Sequence, residues 1–197
     1  ALGRAFFPFK FLLALFFVMW LSALLLVAAF ALLGAGLGAI DSAFDSAAFS
    51  RRTAFLLAIP TALLFSYTVL LSAQAATILI AILLSCLIAR KVDNAAFFVG
   101  AVIVAAVAFL ANAFSLILFV PLAVLTVAGV LDELGNNFAD RGKVGNKPAG
   151  LFLRYRFFMK LAVLGFAPLG VLGWVYFFAL VAFDAAYEAV GVVTSKK

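Results

Sequence analysis

The chain of 197 residues contains no histidine and a single cysteine. Without histidine, the usual ligands of zinc and haem and the usual base of a nucleophilic triad are missing. The lone Cys86 excludes an internal disulfide, and its place in the apolar run from Ile78 to Ala89 suits a small buried residue. Any metal would be a hard, oxygen-bound cation such as Mg²⁺, Mn²⁺ or Ca²⁺. Walker-type, G-x-S-x-G and H-E-x-x-H patterns are also lacking, so no motif points to a nucleotide-driven pump or an intramembrane protease.

Charge is scarce as well. Only 11% of residues are charged, whereas a soluble domain uses about 25% to cover its surface. Apolar residues make up 69% of the chain and mean hydropathy is +1.30. Water is not the main solvent of such a chain. Phe11 to Leu33 is continuously apolar apart from Ser22, unlike the short alternating segments of a β-barrel, so helices are the expected way across the bilayer. The run is longer than the roughly 7–15 residues of a signal-peptide core and predicts a retained first span. The fold class read from these features is all-α, a polytopic transmembrane helix bundle forming a single integral membrane domain over 1–197.

Hydropathy and breaker residues predict about six spans, at 10–33, 54–71, 74–90, 96–112, 114–131 and 160–183. The pairs 54–90 and 96–131 read as tight hairpins, broken at Ser72-Ala73-Gln74 and at Asn112-Ala113. Gln74 and Asn112 are 38 residues apart and Asp93 and Asp132 are 39 apart, a spacing that suggests a repeated helical hairpin. Alternating topology then gathers the connections 34–53, 90–95 and 131–159 at one face. That face holds ten of the fourteen basic residues, among them Arg51, Arg52, Arg90, Lys91, Arg141, Arg154, Arg156 and Lys160. The positive-inside rule makes these connections cytoplasmic and puts both termini outside, in a multi-pass protein of the cell membrane. It also accounts for most of the net charge of +6, so no nucleic-acid partner is implied. Within the long connection, Leu151 to Lys160 interleaves Arg154, Arg156 and Lys160 with aromatic residues and reads as an interfacial stretch. The tail with Asp184, Tyr187 and Glu188 is expected to continue the last helix beyond the membrane.

The acidic residues follow the same topology, although it was drawn from the basic ones alone. Asp41, Asp45, Asp93, Asp132, Glu133 and Asp140 all fall on the basic face. Asp41 and Asp45 are four apart and share a helix face. Neither the N-D-x-x-D nor the D-x-x-D-G-x-x-A-R pattern that binds Mg²⁺ in membrane enzymes is present, the two acids here being spaced D-x-x-x-D. Asp93 with Asn94 sits where a helix start wants a cap. If the fifth helix runs on, Asp132, Asn136 and Asp140 recur every four residues as one oxygen-rich stripe, with Glu133 and Asn137 beside it. Acids near a helix C-terminus oppose the dipole by roughly 0.3–1 kcal/mol each, so the stripe calls for a further reason, either a solvated loop or a ligand.

These features carry three functional expectations. The first is an enzyme acting at the cytoplasmic leaflet on a phosphorylated lipid or isoprenoid. In it Asp132, Asp140 and Glu133 are catalytic, and Mg²⁺ is held by Asp132, Asn136, Asp140, Asp41 and Asp45. Arg51, Arg52, Arg90 and Arg141 would clamp phosphate oxygens. The second is a transporter or channel for a cation or small solute, with the hairpins as its moving halves. The third is a non-catalytic membrane subunit whose charges anchor it. The lipid bilayer is the common partner of all three, and each is compatible with an oligomer.

Overall fold

The computed structural model describes residues 6–45, 48–92, 94–141 and 145–194, with the backbone alone for 6–10, 12 and 140. Eight α-helices account for most of it: α1 (Phe6–Asp45), α2 (Arg51–Leu71), α3 (Ala73–Ile88), α4 (Ala95–Leu110), α5 (Phe119–Asp140), α6 (Lys147–Arg154), α7 (Phe157–Phe166) and α8 (Trp174–Thr194). A 3₁₀ turn, Ala113–Leu116, joins α4 to α5. No strand occurs among the described residues.

Helix starts in an apolar medium need partners for their first N–H groups, and polar side chains supply them here. Ser50 accepts from the Thr53 N–H at the head of α2, and Asn94 accepts from the Phe97 N–H at the head of α4. Ser72 both ends α2 and begins α3, accepting the Ala75 N–H at 3.1 Å, so one residue suffices to reverse the chain. Its hydroxyl shares a second hydrogen bond of 2.7 Å with the Tyr176 hydroxyl on α8. At the head of α5 the Leu118 N–H donates to Thr77 Oγ1 on α3.

The α2–α3 hairpin stacks on the α4–α5 pair, with α2 against α4 and α3 against α5. A Cβ on Gly100 would touch Ala62, and one on Gly129 would lie 2.7 Å from Ser85 Cβ. Helix α1 packs on α2 and runs alongside α8 in the same direction. Phe30 lies edge-on to Tyr176, Gly34 abuts Phe183, Gly38 abuts Tyr187, and Ser42 accepts a hydrogen bond from Thr194 at 3.0 Å. The core runs through the middle of this assembly, with Phe30, Leu33, Ile78, Leu79, Leu125, Val163 and Leu172 almost fully buried. Outward faces carry Leu110, 82% exposed, and Phe119, 74% exposed, a surface suited to lipid rather than water.

Four helical stretches are long and apolar enough to cross a membrane: Leu13–Asp45, Arg51–Leu71, Phe119–Ala139 and Trp174–Thr194. Three shorter apolar helices, Ala73–Ile88, Ala95–Leu110 and Phe157–Phe166, complete the bundle. The six expected spans do not reproduce this pattern. The continuous sixth span over 160–183 is two helices, since α7 stops at Phe166 and the chain turns through Pro168 and Gly170. Proline cannot continue the hydrogen-bond ladder and Gly170 adopts a positive φ of 70°. Hydropathy is blind to this turn because the residues around it are apolar.

The first span likewise runs on past Leu33 to Asp45. The glycines at 34, 36 and 38 are helical close-approach positions and do not end the helix: a Cβ on Gly34 would lie 2.0 Å from the Phe183 carbonyl oxygen. The extra reversal at 167–173 also corrects the expected direction of the last helix. Helix α8 finishes beside Ser42, at the same end of the bundle as the 90–95 connection and the end of α5.

Candidate functional site

A cavity of about 210 Å³ lies within the bundle toward the end where the basic connections cluster, and every helix except α6 contributes to its wall. Its apolar lining includes Leu37, Phe65, Leu83, Val104 and Phe183. Its polar lining is formed mainly by Asp41, Asp45, Lys91, Asp132, Glu133, Arg156, Lys160, Asp184 and Tyr187. Cys86, the only thiol, lines it too.

Helix α5 supplies the central acids. Asp132 is buried, and its two oxygens accept the backbone N–H groups of Phe158 and Met159, each at 2.8 Å. It therefore caps α7 from a neighbouring helix. Glu133, also buried, faces two cations: Arg156 Nη2 at 3.4 Å and Lys91 Nζ at 3.9 Å. Both separations are long for charge-assisted hydrogen bonds, which run about 2.7–2.9 Å.

Arg156 is the N-cap residue of α7 and holds a positive φ of 52°, a conformation that costs a non-glycine residue about 1–3 kcal/mol and concentrates at functional sites. Its guanidinium lies 5.0 Å over the Tyr187 ring, and its Nε is buried with no hydrogen-bond partner. Burial works against the charged form, but the field of Glu133 outweighs it with help from neighbouring groups, and Arg156 is held above the usual arginine range. The Tyr187 hydroxyl donates to Asp41.

Lys160 is buried and spends its donors locally, on the carbonyls of Tyr155 at 2.6 Å and Arg156 at 3.0 Å and on the Asp184 carboxylate. It thereby ties the α6–α7 turn to α8. Asp184 and Tyr187, expected in a tail beyond the membrane, are instead part of this interior site.

Among the residues singled out from sequence, Asp41, Asp45, Asp132 and Glu133 converge on the cavity. Arg51, Arg52, Arg90 and Arg141 are exposed outside it, Arg51 lying over the Phe44 ring. Asn136 is half-buried on α5 away from the cavity wall. The Asp140 side chain and Asp93 lie outside the described residues. Among the described residues no three acidic or thiol groups are grouped as a metal cage. The residues that sequence reading missed are Lys91, Arg156, Lys160, Asp184 and Tyr187. A signal existed for two of them: Leu180, Phe183, Asp184 and Tyr187 recur at helical spacing and share one face.

No protein-family model matches the chain, and no curated protein or solved structure is significantly similar to it. The site's chemistry therefore carries the functional argument.

Proposed function

We propose that the protein is a membrane enzyme that draws an amphipathic molecule, a phosphorylated lipid or isoprenoid, into this cavity and acts on its head at the cytoplasmic leaflet of the cell membrane. The observation that supports the reading is one cavity lined by both apolar side chains and eight charged ones. A lipid tail suits the first and a charged head suits the second. The lining has five carboxylates against three cations, and two of the acids, Asp41 and Asp45, come from α1, with Asp41 accepting from the Tyr187 hydroxyl. Mg²⁺ is commonly held by one or two carboxylates together with substrate phosphates. In this reading Asp41 and Asp45 take that part, and the ion arrives with the phosphate. Asp132 serves the fold by capping α7, so the catalytic weight moves from α5 to Asp41 and Tyr187.

Turnover gives a direct test. Protein in phosphatidylcholine nanodiscs is incubated with phosphatidic acid, farnesyl pyrophosphate or diacylglycerol, with and without Mg²⁺, and each ligand is followed by mass spectrometry. The phosphorylated ligands are expected to be consumed in the presence of Mg²⁺, and Asp41→Asn to stop consumption while the protein still inserts. No consumption of any phosphorylated ligand would sink the proposal.

A second reading is a transporter. Two features favour it: the short helix α7 turns back within the bundle with its start facing the cavity, and the hairpin α2–α3 packs on the α4–α5 pair, α2 against α4 and α3 against α5. Solute flux into proteoliposomes without chemical change of the ligand distinguishes this reading from the first.

A further inference from the structure

Three cations line the cavity, but they are not equivalent. Lys160 is saturated by two carbonyls and Asp184. Lys91 and Arg156 share one carboxylate, Glu133, and both sit farther from it than a charge-assisted hydrogen bond requires. Arg156 keeps a buried Nε donor with no acceptor. A buried donor left unmade is costly, and an arginine held in a left-handed backbone conformation to reach such a place is over-determined by its surroundings. Asp132 directs both oxygens at the α7 backbone, so Glu133 is the carboxylate within 4 Å of both Lys91 and Arg156.

We infer that Lys91 and Arg156 form an oxyanion site that takes the phosphate group of the ligand, with Glu133 as the resident carboxylate that the phosphate partly replaces. The guanidinium offers its Nη groups to phosphate oxygens, and the lysine adds a point charge from the α3–α4 connection. Lys91 is the more exposed partner, its side chain 37% accessible against 17% for Arg156, so it meets the head first and Arg156 holds it at depth. The inference rests on the reading that the ligand is phosphorylated. It differs in naming the gripping residues, none of which was among the four arginines expected from sequence to clamp phosphate.

Native mass spectrometry of the full chain in detergent, titrated with inorganic pyrophosphate, phosphatidic acid or diacylglycerol, tests both levels. Lys91→Met is expected to weaken binding of pyrophosphate and phosphatidic acid about tenfold and to leave diacylglycerol unchanged. Glu133→Gln is expected to tighten both phosphorylated probes by roughly fivefold, because it removes the competing charge and keeps the shape. A purely structural Glu133 would give no gain, so unchanged or weaker binding in Glu133→Gln overturns the site. Phosphatidic acid binding that ignores both substitutions overturns the site but leaves the lipid reading standing. Pyrophosphate binding that follows both substitutions, without any binding of phosphatidic acid, keeps the site and removes the lipid. If no phosphorylated probe binds the unaltered protein, both fall.

Discussion

Lys160 on α7 and Asp184 on α8 form an ion pair inside the bundle, with the lysine 8% and the aspartate 21% accessible. Two carbonyls of the α6–α7 turn complete the ammonium's coordination. Removing one partner of such a pair leaves an uncompensated charge, whereas replacing both need not be costly. Lys160→Met is expected to destabilise the protein by about 3 kcal/mol, near the low end for buried pairs because Asp184 keeps some solvent contact. The Lys160→Met, Asp184→Leu double variant should recover most of the loss. Thermal unfolding in one detergent, compared across the two variants, checks the sign of the recovery.

Asp132 gives a prediction that separates a cap from a metal ligand. Asp132→Ala is expected to cost about 1–2 kcal/mol without any metal present, and Asp132→Asn less, since the amide keeps one acceptor. Hydrogen exchange should show the Phe158 and Met159 amides, the two groups that Asp132 binds, losing protection first. A stability loss that appears only when Mg²⁺ is supplied would assign Asp132 to the ion instead.

Two glycines of the same helical character should respond with opposite signs. A Cβ at Gly34 would meet backbone on α8, with Phe183 O at 2.0 Å and Phe183 C at 2.8 Å, so Gly34→Ala must push the helices apart. The expected loss is about 1–3 kcal/mol. Gly165 has nothing within 4 Å of such an atom, and Gly165→Ala should stabilise α7 by roughly 0.5–1 kcal/mol. Paired unfolding curves decide it.

The direction of α8 can be read chemically. In a Cys86→Ser background, single cysteines at Asn146 and Val193, both exposed, should react with an impermeant maleimide from the same side of a proteoliposome. A cysteine at Ser115, exposed in the turn between α4 and α5, should react from the other. Labelling of positions 146 and 193 from opposite sides would contradict the parallel course of α1 and α8.

The helical class of the fold was legible because composition alone removes water as the solvent. The long apolar runs of α1 and α2 were equally plain. The turn after α7 was not, because Pro168 and Gly170 sit among Ala167, Leu169, Val171 and Leu172, and a hydropathy window averages over them. Missing that reversal sent Asp184 and Tyr187 to the wrong end of the bundle. Four of the five acids of the cavity, Asp41, Asp45, Asp132 and Glu133, were found because charge is rare in this chain and each carboxylate stands out. Their partners were harder to find: Arg156 reads as one more interfacial anchor beside Arg154, and only the fold separates them, one half-buried at the cavity and the other exposed. The spacing of Asp132, Asn136 and Asp140 suggested a shared ligand, whereas Asp132 answers to a helix 26 residues further along the chain.

The brevity of α7 bears on how the chain is made. Its 10 residues reach about 15 Å, roughly half the hydrocarbon thickness, so it is a poor membrane segment by itself. Its first amides are satisfied by a side chain of α5, which the ribosome delivers earlier. The insertion machinery can thus hold α7 stably only once α5 is already in place, and α7 with α8 must enter as one hairpin. A nascent chain stalled after α5 would leave the carboxylate of Asp132 without its two backbone donors, a species that quality control has reason to notice.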